Sequence, residues 1–302
     1  MRLTSRVLAA RACAAFIMLC LTGEAARCAE ITLEDNITYG KAGGTELKLD
    51  LARPEGNGPF PAIVFIHGGG WSGGNRQAYS GAIREAARRG YVAATISYRL
   101  MKFDEKKKET TTAEPIFPAQ IHDAKAAIRW VRANAEKYHV DTNRIGVTGG
   151  SAGGHLSLLV GLTDPSSALE GDSGNPDQSS RVQAVVNVFG PTEIVSCYEK
   201  SSVAWIFRLF MGGTPAEAAE RYKAASPVTY VSKDDPPVLT LQGDKDALVP
   251  VEQAKLLDET MKAAGAPHTL VIYAGQGHGF GGEYVKKSAD ETWAFFDKHL
   301  KK

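Results

Sequence analysis

Cysteine is scarce in this chain. Four residues in 302, at positions 13, 20, 28 and 197, are too few for a disulfide scaffold. Net charge is nearly absent too: 35 basic against 34 acidic side chains leave +1. A general nucleic-acid binder needs a basic face, so no nucleic-acid partner is expected. A membrane span needs about 20 apolar residues, and the run at residues 12–21 is half that length. With 43% hydrophobic and 23% charged residues, the composition is that of a folded globular chain, not a disordered one.

The first 29 residues differ from the rest. Arg2, Arg6 and Arg11 precede the apolar run, and small residues follow up to Ala29. This three-part pattern reads as a secretory signal peptide, which places the protein outside the cytoplasm, secreted or periplasmic. A transit peptide or a buried N-terminal helix is the bland alternative. Neither Cys20 nor Cys28 follows a good lipobox, so a lipid anchor is not favoured. Removing the segment takes four basic residues and one acidic residue, leaving a net charge of −2 and Cys197 as the single cysteine. Residues 30–302 then form one domain able to bury a large core.

Along those residues short β-branched runs alternate with helical periodicity. Strands are expected around 38–39 and at 47–52, 62–66, 92–98, 145–148, 182–189, 238–242 and 269–273. Helices are expected at 78–89, 118–138, 155–162, 251–264 and 288–300. Continuous apolar strands alternating with helices predict an α/β fold with a mostly parallel sheet of about eight strands, covered on both faces. The first two strands lack an intervening helix, which predicts an antiparallel edge. Residues 102–114, 163–181 and 194–223 break the alternation and read as lids, binding loops or mobile segments.

Glycine is plentiful: 31 residues, of which 14 fall in residues 67–74, 149–154 and 275–282. Two of these loops match Gly-x-Ser-x-Gly, at Ser72 and at Ser151. Context favours Ser151. A strand precedes it and a helix follows, so a tight turn lifts its hydroxyl out at the carboxyl edge of the sheet, beside a helix N-terminus. Ser72 has no such helix.

A serine nucleophile needs a base, and the base an orienting acid. Of the seven histidines, His278 follows the last strand and so shares the carboxyl edge with Ser151. His268 precedes that strand and lies at the opposite edge. His299 reads as solvated, His122 and His139 lie on or beside the Pro118 helix, and His155 is too close along the helix to reach Ser151. The acid is Asp244 or Asp246, both after the strand at 238–242. Asp244 looks like a turn residue capping local N–H groups, which favours Asp246. For a developing oxyanion, the bare backbone of His67-Gly68-Gly69-Gly70-Trp71 offers the N–H groups of Gly69 and Gly70, with Ala152 as a third donor. Trp71 reads either as a packing surface for a sugar or aromatic acid, or as plain core. The triad chemistry needs no metal or organic cofactor.

HGGGW, GGSAGG, GDKDALVP and GHGF, in that order, resemble the α/β-hydrolase superfamily, and within it the hormone-sensitive-lipase-like esterases and the bifunctional feruloyl/acetylxylan esterase group. The likeness runs from about Tyr39 to Leu300. It implies an α/β-hydrolase fold, Ser151, Asp246 and His278 as the triad, and Gly69, Gly70 and Ala152 as the oxyanion hole. Tyr98-Arg99-Leu100, Asp123, Arg129 and Trp130 also match and read as structural supports. The expectation is a secreted serine esterase acting through an acyl-enzyme on small esters or acylated polysaccharide, with acetyl or feruloyl groups on xylan favoured by export. A peptidase, amidase or arylformamidase using the same triad is the nearest rival. A non-catalytic binding protein on a hydrolase scaffold is the more distant one.

Overall fold

The apolar runs become strands because alternate residues find a layer on either side. In the computed structural model, which describes residues 30–107 and 111–301, the chain runs β1 (Ile31–Ala42), β2 (Thr45–Pro54), β3 (Phe60–Ile66), α1 (Ser80–Arg88), β4 (Val92–Ile96), α2 (Ala119–Ala133), α3 (Ala135–Tyr138), β5 (Val140–Gly150), α4 (Ala152–Leu162), β6 (Ala184–Val188), α5 (Ile194–Lys200), α6 (Ala204–Met211), α7 (Ala219–Ala224), β7 (Val238–Gly243), α8 (Glu252–Ala264), β8 (His268–Tyr273) and α9 (Glu283–Leu300). The proposed signal peptide at residues 1–29 lies outside the described residues. Among those described, no helix is long and apolar enough to cross a membrane.

One eight-stranded sheet has the order β1-β2-β4-β3-β5-β6-β7-β8. β1 and β2 form the expected antiparallel edge, and every pair from β4 through β8 is parallel. Side-chain alternation divides the core. Val64 and Ile66 of β3 face a layer that includes Ile121 and Ile128 of α2 and Leu156 and Leu159 of α4. Ile63 and Phe65 face Ile83, Ala86 and Ala87 of α1 and Trp293 and Phe296 of α9. The spacing of Ile83, Ala86 and Ala87 is that of a single helical face.

Several boundaries differ from the sequence expectation. β1 is far longer than residues 38–39, because an edge strand held by main-chain pairing with β2 tolerates polar residues. The helix expected at 118–138 divides at Asn134, whose side-chain amide donates to Trp130 O at 2.9 Å. α9 begins at Glu283, before the expected 288. Residues 194–223 hold three short helices, α5 to α7, in place of an irregular lid. They stand because Phe207, Phe210 and Met211 of α6 are buried; helices this short have little stability of their own.

The loop at 163–181 does not border the cavities beside Ser151. It is a buttress. Lys125 and Arg129 on the inner face of α2 are 0% and 1% exposed, and both ion-pair with Glu170 from this loop. Arg129 also donates to Glu170 O (2.7 Å) and Gly174 O (2.9 Å), and Ser180 Oγ donates to Glu170 Oε1 (2.9 Å). Ser173 Oγ donates to Asp123, which holds Arg99 by both carboxylate oxygens. Of the residues read as structural supports, Arg99, Asp123 and Arg129 thus tie α2, the buttress and the segment after β4 together.

Candidate active site

In a parallel sheet the loops after the strands gather at one edge. Here that edge brings together β5, β7, β8 and β3 loops. Ser151 occupies the turn from β5 to α4 with φ 56° and ψ −121°, a strained conformation for a residue with a side chain. The turn closes only because its flanks are bare: a Cβ on Gly153 would lie 2.0 Å from Ile66 O. Ser151 N donates to Val188 O at 2.9 Å, which fixes the turn to β6.

The Ser151 hydroxyl lies 2.8 Å from His278 Nε2, and His278 Nδ1 lies 2.7 Å from Asp246 Oδ2. The carboxylate accepts from Nδ1–H, so Nε2 is the free acceptor for the serine proton. Asp246 is buried and also accepts from the main-chain N–H of Leu248 and Val249, both at 2.9 Å on Oδ1. The His278 ring packs on Phe189, 4.7 Å between centroids. Ser151, His278 and Asp246 therefore meet as the sequence suggested. Asp244 takes the turn role instead, accepting from Gly275 N at 2.7 Å.

The other histidines are elsewhere. His155 is fully buried, donates from Nε2 to Ala225 O at 2.7 Å, and is pushed down by burial to about 4, so its ring is neutral. His268 joins Asp258 and Thr240 at the start of β8. His299, read as solvated, is half-buried with its ring 4.6 Å from Phe295, because the last turn of α9 still packs on the sheet.

The glycine loop after β3 sits against the serine: a Cβ on Gly68 would lie 2.7 Å from Gly150 O and 3.4 Å from Ser151 Cβ. Its turn is made by Gly69, whose carbonyl accepts from Ser72 N (3.1 Å) and Gly73 N (2.9 Å). Gly69 and Gly70 have φ of 115° and 57°, a region that favours glycine. The carbonyl of Gly69 is thereby turned back into its own loop. Ala152 N–H is in the first turn of α4, where helix N–H groups have no intrahelical acceptor. The loop is braced by His67, whose ring stacks on Tyr98 at 4.4 Å while Tyr98 OH donates to His67 O at 3.1 Å.

Two cavities meet at Ser151. One of about 180 Å³ is bordered by Trp71, Val203, Trp205, Ile206, Phe207 and Val249, and is mostly apolar. The other, about 490 Å³ and more open, is bordered by Gly68 to Gly70, Gly150, Phe189 and Leu248. Trp71 does not offer a stacking face. Its ring is 2% exposed, lies parallel to Phe210 at 4.0 Å, and meets Phe207 edge-on. The partly exposed aromatic at the cavity is Trp205, which packs against Phe103. The cavity-bordering segment is tied to the Asp246 loop by Ser202 N donating to Ala247 O (2.9 Å) and Ser201 Oγ to Leu248 O (2.7 Å).

Sequence reading did not assign Val203 or the α6 residues Trp205, Ile206 and Phe207 to the cavity, and it missed Gln242. For Gln242 a signal was present: a second polar side chain, after Thr240, next to the end of β7 and four residues before Asp246.

The chain matches the BD-FAE family over residues 49–261. It is 36% identical to esterase LipC of Mycobacterium tuberculosis over 230 residues, covering 74% of this chain and 53% of that protein. The chain thus spans about half the length of the curated relatives it matches. Among solved structures, a truncated carbohydrate esterase from gut microbiota superposes with a TM-score of 0.76 at 31% identity, covering 92% of this chain and 99% of that one. Esterase 2 of Thermogutta terrifontis, solved phosphorylated by paraoxon, gives 0.69 at 30% identity, with 90% and 94% covered. Fold, site geometry and sequence similarity agree: the chain belongs to the BD-FAE family of α/β-hydrolases.

Proposed function

We propose that this protein is a serine carboxylic-ester hydrolase that removes short acyl groups, acetyl foremost, from carbohydrate. The observation that carries the chemistry is the continuous hydrogen-bonded chain Ser151–His278–Asp246 beside the glycine loop. Ser151 Oγ attacks the ester carbonyl as His278 Nε2 takes its proton. The carbonyl oxygen becomes an oxyanion and accepts from the N–H groups of Gly69, Gly70 and Ala152. The intermediate collapses, the C–O bond to the alcohol breaks, and His278 returns the proton to the departing oxygen. Water, activated by the same imidazole, then releases the acid and restores the serine. Asp246 holds the tautomer and stabilises the imidazolium.

The substrate class rests on the two cavities. A cavity of about 150 Å³ admits one benzene ring, so the 180 Å³ apolar arm takes acetyl to butyryl. A feruloyl group, with its substituted ring and propenoyl arm, outgrows it. The open arm suits a bulky alcohol such as a sugar. Similarity to a carbohydrate esterase supports the sugar, and the export signal read in residues 1–29 supports a substrate outside the cytoplasm.

A fluorophosphonate probe is expected to label Ser151 alone, and acetate is released from acetylated xylan faster than ferulate from methyl ferulate. Ile206, which borders the small arm with its Cγ1 3.3 Å from where a Gly70 Cβ would be, is the residue expected to limit acyl length. With p-nitrophenyl esters, kcat/KM for the octanoate falls about tenfold or more below the butyrate, and Ile206→Ala narrows that gap by about tenfold. Equal rates across acetate, butyrate and octanoate in the wild type would refute the assignment of the small arm to the acyl group.

A further inference from the structure

We infer that Gln242 is a positioning residue that fixes the Asp246 carboxylate for His278; this rests on the triad reading above. Gln242 is the penultimate residue of β7 and is 0% exposed. Its amide nitrogen donates to Asp246 Oδ2 at 3.1 Å and to Val249 O at 3.0 Å. Its amide oxygen, equally buried, accepts from no group among the described residues.

That orphan oxygen is informative. An unsatisfied buried acceptor costs about 1–3 kcal/mol, so the amide orientation is held against a penalty. Turning the amide over would aim its oxygen at a carboxylate and a carbonyl, both acceptors, and leave two N–H donors unused. Only the NH₂ end can face Asp246. A side chain serving packing alone would be apolar at this buried position.

The effect on the site follows from where the bonds fall. Oδ1 is held by two main-chain N–H groups, from Leu248 and Val249. Oδ2 is shared by Gln242 and His278. Gln242 is thus the side-chain donor that fixes the tilt of the carboxylate, and with it the oxygen presented to the imidazole. The other ionisable groups near Asp246 are few. His278 faces it from the loop after β8. Cys197 approaches from α5, with Glu193 at the N-cap of that helix; burial first, then Asp246 and Glu193, push the thiol up, so it stays protonated and neutral. Asp244 and Lys245 precede Asp246 in its own loop.

Two variants test this. Gln242→Met keeps the bulk and removes the donor. A hydrogen bond to a charged group is worth about tenfold or more in rate, so kcat for p-nitrophenyl acetate falls about tenfold while KM stays within about twofold. Gln242→Glu puts two carboxyl groups on one proton. While protonated, the introduced carboxyl donates as the amide does. Once ionised it no longer donates and repels Asp246, so the hold on Oδ2 is lost. The kcat/KM of this variant therefore approaches wild type on the acid side and declines as pH rises, a falling limb absent from wild type and from Gln242→Met. A Gln242→Met enzyme with wild-type kcat, a Gln242→Glu profile parallel to wild type, or activity lost only in proportion to folded protein by near-UV circular dichroism would each overturn the proposal. Activity surviving Ser151→Ala would instead refute the triad reading itself, so the two failures are distinguishable.

Discussion

Ser151→Ala lowers kcat/KM for p-nitrophenyl acetate by about 10⁵-fold or more, with the melting temperature and circular dichroism of the wild type. The size follows from how triads act. Their members work as a unit, and loss of the nucleophile removes nearly all of the covalent route, leaving only what the oxyanion donors and binding contribute. The fold is expected to survive because alanine keeps the Cβ and the backbone turn, while the clearance that the turn needs is provided by its flanking glycines. Asp246→Asn is expected to lose about 10⁴-fold, through the tautomer: an amide NH₂ facing Nδ1 turns the acceptor nitrogen away from the serine. Steady-state rates at matched folded concentration check both. Hydrolysis by Ser151→Ala above about one part in a hundred of wild type would show that another residue is the nucleophile.

Glu170→Ala is the largest expected loss of stability, about 3 kcal/mol at neutral pH, because it leaves Lys125 and Arg129 buried without their carboxylate. In a domain of this size that lowers the melting temperature by about 6–12 °C. Activity per folded molecule stays at wild type, since the buttress does not border the cavities at Ser151. The reciprocal change is milder. Burial lowers the pKa of Lys125 against the pull of Glu170, so the cation is itself costly to hold, and Lys125→Met loses less than half as much. The pH dependence has a definite sign. Burial raises the Glu170 carboxyl, but hydrogen bonding and charge from Lys125, with Ser180 and Arg129, outweigh it and hold the group below its ordinary 4.5. A carboxyl with a depressed folded pKa stabilises fully above the unfolded value and loses that contribution as pH falls through the folded one. The gap in melting temperature between wild type and Glu170→Ala therefore narrows below about pH 4.5. A gap that holds constant down to about pH 3 would contradict the role of this pair.

The sheet and the Ser151, His278 and Asp246 cluster were legible because both depend on local order. β-branched runs mark the strands, and each chemistry-bearing residue follows a strand that ends at the same edge. What could not be read depends on contacts distant in sequence. Trp71 was ambiguous because Phe210, which covers its ring, is on α6. The helices of residues 194–223 have little helical signal of their own and are held by burial of Phe207, Phe210 and Met211. The loop at 163–181 looks mobile by composition, yet Glu170 reaches two buried cations on α2 that no local pattern pairs with it. His299 looked solvated because its neighbours Lys298 and Lys301 are charged, although its ring lies on Phe295.

The tie between the α5–α6 connection and the Asp246 loop has a consequence for how this protein changes over generations. One of its two bonds, Ser202 N to Ala247 O, runs main chain to main chain, so it is indifferent to the side chains nearby. Val203, Trp205 and Ile206 hang from that anchored segment into the small cavity. The backbone that places the acid is therefore insulated from the residues proposed to measure the acyl chain. Mutational walks at these three positions can retune chain-length preference in single steps, each leaving a working catalyst behind it, while the reaction itself stays constant.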